Sequence, residues 1–174
     1  MVDSAAIREV GIATIDTEIA AARAAGKYVV LFDTTGNCEV FFRYKGTLVE
    51  FHKSVIGITM GAKTLDDTMD ELRRTLVHTM KSGDKFVIYF DKMAPNFKTQ
   101  YTKDGAFPTK DLTNFALWRE IDNYKKVVKE EEDVDANNNK GWYRMKDDFE
   151  LIFMGTYQDE ETCKQVLDNI PNSD

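Results

Sequence analysis

Cysteine is almost absent. Cys38 and Cys163 are the only two in 174 residues, and neither belongs to a C-x-x-C pair. A disulfide-stapled secreted scaffold is therefore excluded. Zinc needs three or four converging Cys or His ligands, and these two cysteines and the only two histidines, His52 and His78, are scattered along the chain. Prolines number only three and no low-complexity run occurs, which excludes a largely disordered chain. Long apolar runs are missing as well. None approaches the roughly 20 residues that span a bilayer, and the opening MVDSAAIREV is polar and mixed, unlike a secretory apolar segment. The expected home is a reducing, cytoplasmic compartment. Basic charge is in deficit, with 23 Lys and Arg against 30 Asp and Glu, a formal charge of −7. A nucleic-acid binder carries a basic patch. The nearest candidate, NYKKVVKEEEDVD at residues 123–135, holds more acids than bases and reads as a solvated helical face. Neither nucleic acid nor a membrane surface is an expected partner.

What is present is apolar bulk in short, well-separated runs. Eleven Phe, seven Tyr and two Trp suffice for one substantial core, and the length suits one domain. Asp3 or Ser4 can cap a first helix with Ile7, Val10, Ile15 and Ile19 on its apolar face and Gly26 just past its end, so that residues 1–26 form a helix packing on the core. Residues 28–33 are a continuous apolar run closed by an acid, as in strands buried on both faces of a parallel sheet. Residues 34–37 are a loop, and CEVFFRY at 38–44 fits either a returning hairpin strand or a short helix. Residues 47–51 read as a second strand. The clearest helix follows: Thr64 as cap, Asp66 and Asp67 in the first turn, a stripe of Leu65, Met69, Leu72, Leu76 and Met80, and Gly83 as the stop. His78 lies off the stripe, and Arg73 and Arg74 read as solvated. FVIYFD at 86–91 is a third apolar run ending in an acid. Residues 95–100 suit a short helix, and 111–131 a long one with Leu112, Phe115, Ile121, Tyr124 and Val128 facing inward. FELIFMG at 149–155 is a last strand, and Asp159 can start a closing helix that Pro171 ends. Strands alternating with helices predict an α/β domain with a mainly parallel sheet over residues 27–174.

Two constellations look chemical. Asp133, Asp135, Asn137 and Asn139 have the spacing of a calcium loop's first four ligands. That loop also needs glycine sixth and a bidentate Glu twelfth, where this chain has Asn138 and Arg144. No metal is expected there, and the segment reads as a solvated connector. The second is the strand–loop of residues 28–38. A working phosphate loop has the form G-x-x-x-x-G-K-[ST], with backbone N–H groups and a lysine around the phosphates. Here Asp33, Thr34, Thr35, Gly36 and Asn37 stand in its place, with one glycine and no lysine. A carboxylate about 4 Å from a phosphate charge costs roughly 4 kcal/mol at an effective dielectric near 20. That is large beside the ~8 kcal/mol of a micromolar complex. The third run ends in Asp91-Lys92, where a magnesium-binding strand would end in two acids.

The order of VVLFDTTGNCEVFFRYKG, a helix ending MKSGD, KFVIYFDK and DDFELIFMGTY resembles the fifth AAA+ module of dynein heavy chains. It resembles still more the related P-loop-like domain of ciliary proteins with IQ and ankyrin segments. The likeness spans roughly residues 27–169, matching at Asp33, Gly36, Gly83, Phe149, Leu151 and Thr156. It departs at Thr34 and Thr35, where the family has Pro and Gln, and at Gly155, where Thr is usual. The resemblance implies a helix at 38–44 and a three-layer sandwich with strand order 1-4-3-2 and no AAA+ lid. It puts Asp33 at the Walker A position, Asp91 at Walker B and Thr156 on the sensor-1 strand. It implies a non-catalytic structural or interaction module of a ciliary, axonemal or other microtubule-based assembly, with other proteins as partners. On that view there is no catalytic residue and no cofactor, and the pocket of Asp33, Thr34, Thr35, Gly36, Asn37, Asp91 and Thr156 is vestigial. The alternatives are a nucleotide-binding protein or weak NTPase with a modified loop, and a small enzyme using scattered carboxylates.

Overall fold

The computed structural model describes residues 7–173. Four strands form one parallel sheet: β1 (Val29–Asp33), β2 (Thr47–Glu50), β3 (Lys85–Asp91) and β4 (Glu150–Thr156), in the order β1-β4-β3-β2. Alternate side chains of the apolar runs go to opposite faces, and helices cover both. On one face Val87, Tyr89, Ile152 and Met154 meet Ile15 and Ile19 of α1 (Ile15–Ala24) and Phe42 of α2 (Asn37–Lys45). On the other, Phe86, Ile88, Phe90, Leu151 and Phe153 meet a larger layer. It comprises α3 (Phe51–Thr59), α4 (Leu65–Ser82), the short helices α5 (Thr109–Leu112), α6 (Phe115–Trp118) and α7 (Ile121–Tyr124), and α8 (Glu160–Asp168). The result is the expected three-layer α/β sandwich, with a helix at 37–45 and the strand order 1-4-3-2.

Local chemistry accounts for the elements that follow expectation. The Thr64 side chain accepts a hydrogen bond from the Asp67 N–H at 3.0 Å, and left-handed Gly83 ends α4. The Asp159 side chain caps α8 by accepting from Thr162 N–H. His78 is exposed, as its place off the apolar stripe requires.

Several expectations need correction. α1 begins at Ile15, preceded by a single 3₁₀ turn (Ile12–Thr14); Ile7 and Val10 are exposed, because Gly11 is extended and no helix runs through them. Asp3 and Ser4 lie outside the described residues. Residues 95–100 make only one turn, held by Asn96, whose side chain accepts from the N–H groups of Lys98 and Thr99. The single helix expected over 111–131 is a chain of short pieces. Asn114 caps α6 by accepting from Leu117 N–H, diverting the backbone after α5. Glu120 is extended between α6 and α7, and 3₁₀ turns at Lys125–Val127 and Glu130–Glu132 follow. The breaks let Trp118 and Val127 reach the core alongside Leu112 and Tyr124, whereas Ile121 is 38% exposed. Residues 123–135 are thus a folded connector, not a solvated helical face. α3 is an addition: a helix follows β2 directly, with no side-chain cap.

Phe90 makes β4 intolerant of a side chain at one position. A Cβ on buried Gly155 would sit 2.6 Å from Phe90 Cε2 and 3.3 Å from the Asp91 carbonyl oxygen. Gly155→Ala is expected to cost about 2 kcal/mol, as overpacking a fully buried ring does, and to lower the melting midpoint by roughly 5 °C. A drop below about 1 °C would show that the ring has room to swing aside.

Candidate functional site

β1 leaves the sheet through α2 on one face, while the other crossovers run on the opposite face, so the gap between β1 and β4 at their carboxyl ends is where connections diverge. Ligands of open α/β sheets bind at such points. Asp33 ends β1 there, in register with Thr156 of β4, and Asp91 of β3 is in register with Gly155. The structure therefore brings Asp33, Asp91 and Thr156 to the carboxyl ends of three neighbouring strands.

The loop after β1 is organised around Asp33. Its carboxylate, 4% exposed, accepts four backbone N–H bonds. Oδ1 takes those of Thr35 (3.1 Å) and Gly36 (3.0 Å), and Oδ2 those of Cys38 (3.0 Å) and Glu39 (3.2 Å). Gly36 precedes α2 at φ +80°, a conformation that costs glycine nothing. The loop thus wraps its donors, and the positive end of α2, around an internal anion. Thr34, Thr35, Gly36 and Asn37 are exposed, and the Thr35 hydroxyl accepts from Asn37 N–H at 3.3 Å. Cys38 sits beside this carboxylate; burial first, then the Asp33 charge, pushes its thiol up to about 11, so it is protonated and inert at neutral pH.

Asp91 forms a second group. Its Oδ1 accepts from Thr156 Oγ1 at 2.8 Å and from Tyr89 Oη at 3.2 Å. The residue adopts φ +53°, at a register shift between Tyr89 and Asp91 that leaves Phe90 over Gly155. Burial, the largest influence, pushes the Tyr89 phenol above its ordinary value, and the charges of Asp91 and Glu39 act the same way against the lowering Thr156 hydrogen bond. Tyr89 was not among the sequence candidates; its place two residues before Asp91 was the available signal. His52 lies edge-on to the Tyr89 ring, with Nδ1 3.4 Å from the Tyr89 carbonyl oxygen.

Lys92 is exposed beyond β3 and its carbonyl accepts from Gln158. Arg73, expected to be solvated, is 3% exposed and makes a bidentate pair with Glu132 on the sheet's other side. The calcium-like segment satisfies itself. The Asp135 carboxylate accepts from the N–H groups of Asn137 and Asn139 and from Asn139 Nδ2, and Asp133 pairs with Lys125. Among the described residues, no cluster of three His, Cys, Asp or Glu could hold a metal ion, and no helix is long and apolar enough to cross a membrane. No known family, curated protein or solved structure matches this chain.

Proposed function

We propose that the protein is a non-catalytic structural or interaction module whose phosphate-type loop is closed by its own side chain. The observation that carries this reading is the Asp33 carboxylate, which takes the four N–H groups that would otherwise receive a phosphate. A nucleotide would have to displace a buried, fourfold-bonded carboxylate from the same donors, and the loop offers no lysine in exchange. The setting, a ciliary axoneme or other microtubule-based assembly within the cytoplasm, rests on the order of motifs, and the partners are other proteins.

The test is thermal unfolding with and without millimolar Mg-ATP or Mg-GTP. A ligand present at 100 times its Kd adds about 2.7 kcal/mol and would raise the midpoint by roughly 5–10 °C. The expected shift is nil. A rise of that size would instead establish a nucleotide-binding protein with a modified loop. Fractionation of axonemes tests the setting separately, and a chain confined to the soluble fraction would remove the ciliary assignment.

A further inference from the structure

A small cavity of about 20 Å³, partly open to solvent, lies at the opposite, amino edge of the sheet, between α1, α6 and the starts of β1 and β4. One wall is Trp118, 3% exposed, whose indole Nε1–H has no hydrogen-bond partner. An indole nitrogen only donates, and leaving a buried donor unmet is costly. An acceptor that reached this donor would remove that cost. Three cations line the cavity, in a chain that is acidic overall: Arg23, Lys27 and Arg119. Arg23 is already matched to Glu150, the cavity's one acid, at 3.0 Å. Lys27 is exposed and Arg119 half-buried, and neither touches a carboxylate among the described residues. Arg119 donates only to the carbonyls of Asp147 and Phe149 and lies 4.3 Å over the Phe115 ring. Burial, the largest influence, lowers its pKa, and Arg23 repels it in the same sense against Asp147 and Glu150.

We propose that this cavity binds a small monocarboxylate, one of whose oxygens accepts from Trp118 Nε1–H while Arg119 and Lys27 meet its charge. The space suits at least one water-sized group, such as a carboxylate oxygen. The guanidinium fork matches a carboxylate's two oxygens. Glu150 in the wall disfavours a dianion. An aliphatic tail of two or three carbons then lies along the Phe115 ring at the rim.

The indole N–H resonance of Trp118 reads this directly. Trp142 is 61% exposed, and Trp142→Phe assigns the two indole signals. Titration with sodium acetate and sodium butyrate at constant pH and ionic strength should move the Trp118 signal to saturation, while sodium chloride and butyramide leave it in place. Arg119→Met should weaken binding about tenfold or more, as loss of a charge-assisted hydrogen bond does. Lys27→Met should weaken it about twofold to fivefold, the range of an exposed charge contact. Lys27 is exposed, so that arm stands even if Arg119→Met fails to fold. An indole signal that carboxylates do not move over the millimolar range would mean a buried water only and would overturn the proposal. An equal response to butyramide, or affinity unchanged by Lys27→Met, would overturn it too.

Discussion

Replacing Glu132 with alanine is expected to destabilise the protein by about 3 kcal/mol, a drop in melting midpoint on the order of 10 °C. Glu132 holds the guanidinium of Arg73, which lies 3% exposed on α4, through two hydrogen bonds of 2.6 and 3.1 Å. Arg73 also donates to the Val127 carbonyl at 3.0 Å and to Asp70 at 3.0 Å. Without Glu132 a buried cation keeps only the carbonyl and Asp70, whose side chain is 42% exposed and screened by water. That places the cost at the lower end of the range for breaking a buried pair. Removing the cation instead should cost less. Arg73→Met leaves an apolar side chain of similar length, and Glu132, 26% exposed, can turn toward water. About 1 kcal/mol is expected, and the double variant should resemble Arg73→Met, because the stranded charge is gone. Equal costs for the two single variants would show that burial of Arg73 is not what sets the penalty.

The same pair predicts a pH dependence. Burial is the largest influence on Glu132 and raises its pKa, but the Arg73 hydrogen bond, the Lys129 N–H and both cations outweigh it and hold the carboxyl below its ordinary value. A depressed carboxylate contributes stability that is present above its unfolded value, near 4.3, and is lost as pH falls through the folded value. The native protein should lose this contribution progressively as pH falls from about 5 through the unfolded value and below it. In Arg73→Met only the Lys129 N–H and charge still oppose burial, so the carboxyl is depressed less and the acid limb of the stability curve should be shallower.

Arg73 marks where sequence reasoning ends. Its partner lies 59 residues away, on a 3₁₀ turn that reads locally as part of a solvated acidic run. Nothing within α4 distinguishes it from Arg74, which is 60% exposed. The sheet was legible because β1, β3 and β4 are short apolar runs each followed by a loop, and a sheet covered on both faces needs no alternation. α4 was legible because its cap, stripe and stop agree. α3 was not, since FHKSVIGIT follows β2 directly with no capping side chain to mark its start. The stretch 111–131 misled because Leu112, Phe115, Ile121 and Tyr124 suggest one inner face, although Ile121 falls off a regular helical stripe and the backbone breaks at Asn114 and Glu120. At the carboxyl edge, Asp33 was legible as a charge hostile to phosphate. Its second role, as the anion around which the loop is built, depends on where four N–H groups point. The amino-edge cavity has no sequence signal at all, because Lys27 and Arg119 meet only through the fold.

Removing the Asp33 carboxylate separates those two roles. Asp33→Ala strands the N–H groups of Thr35, Gly36, Cys38 and Glu39. Residues 34–37 are exposed, so water can reach part of the vacancy, and the expected loss is about 2–4 kcal/mol, somewhat more than one helix cap. The emptied loop should then accept an external anion. Inorganic phosphate at ten times its Kd would return about 1.4 kcal/mol and raise the variant's midpoint by roughly 3–5 °C beyond any rise in the native protein at matched ionic strength. Asp33→Asn is the necessary companion. Its amide keeps the volume filled but turns an NH₂ group toward two of the four donors, so it should be destabilised without gaining a phosphate response. Stability falling equally in both variants, with a phosphate response in alanine alone, is the pattern of a seat that the protein's own acid occupies. If phosphate raises native and Asp33→Ala midpoints alike, the donors around Asp33 are not an anion seat, and the reading of this loop as self-plugged fails.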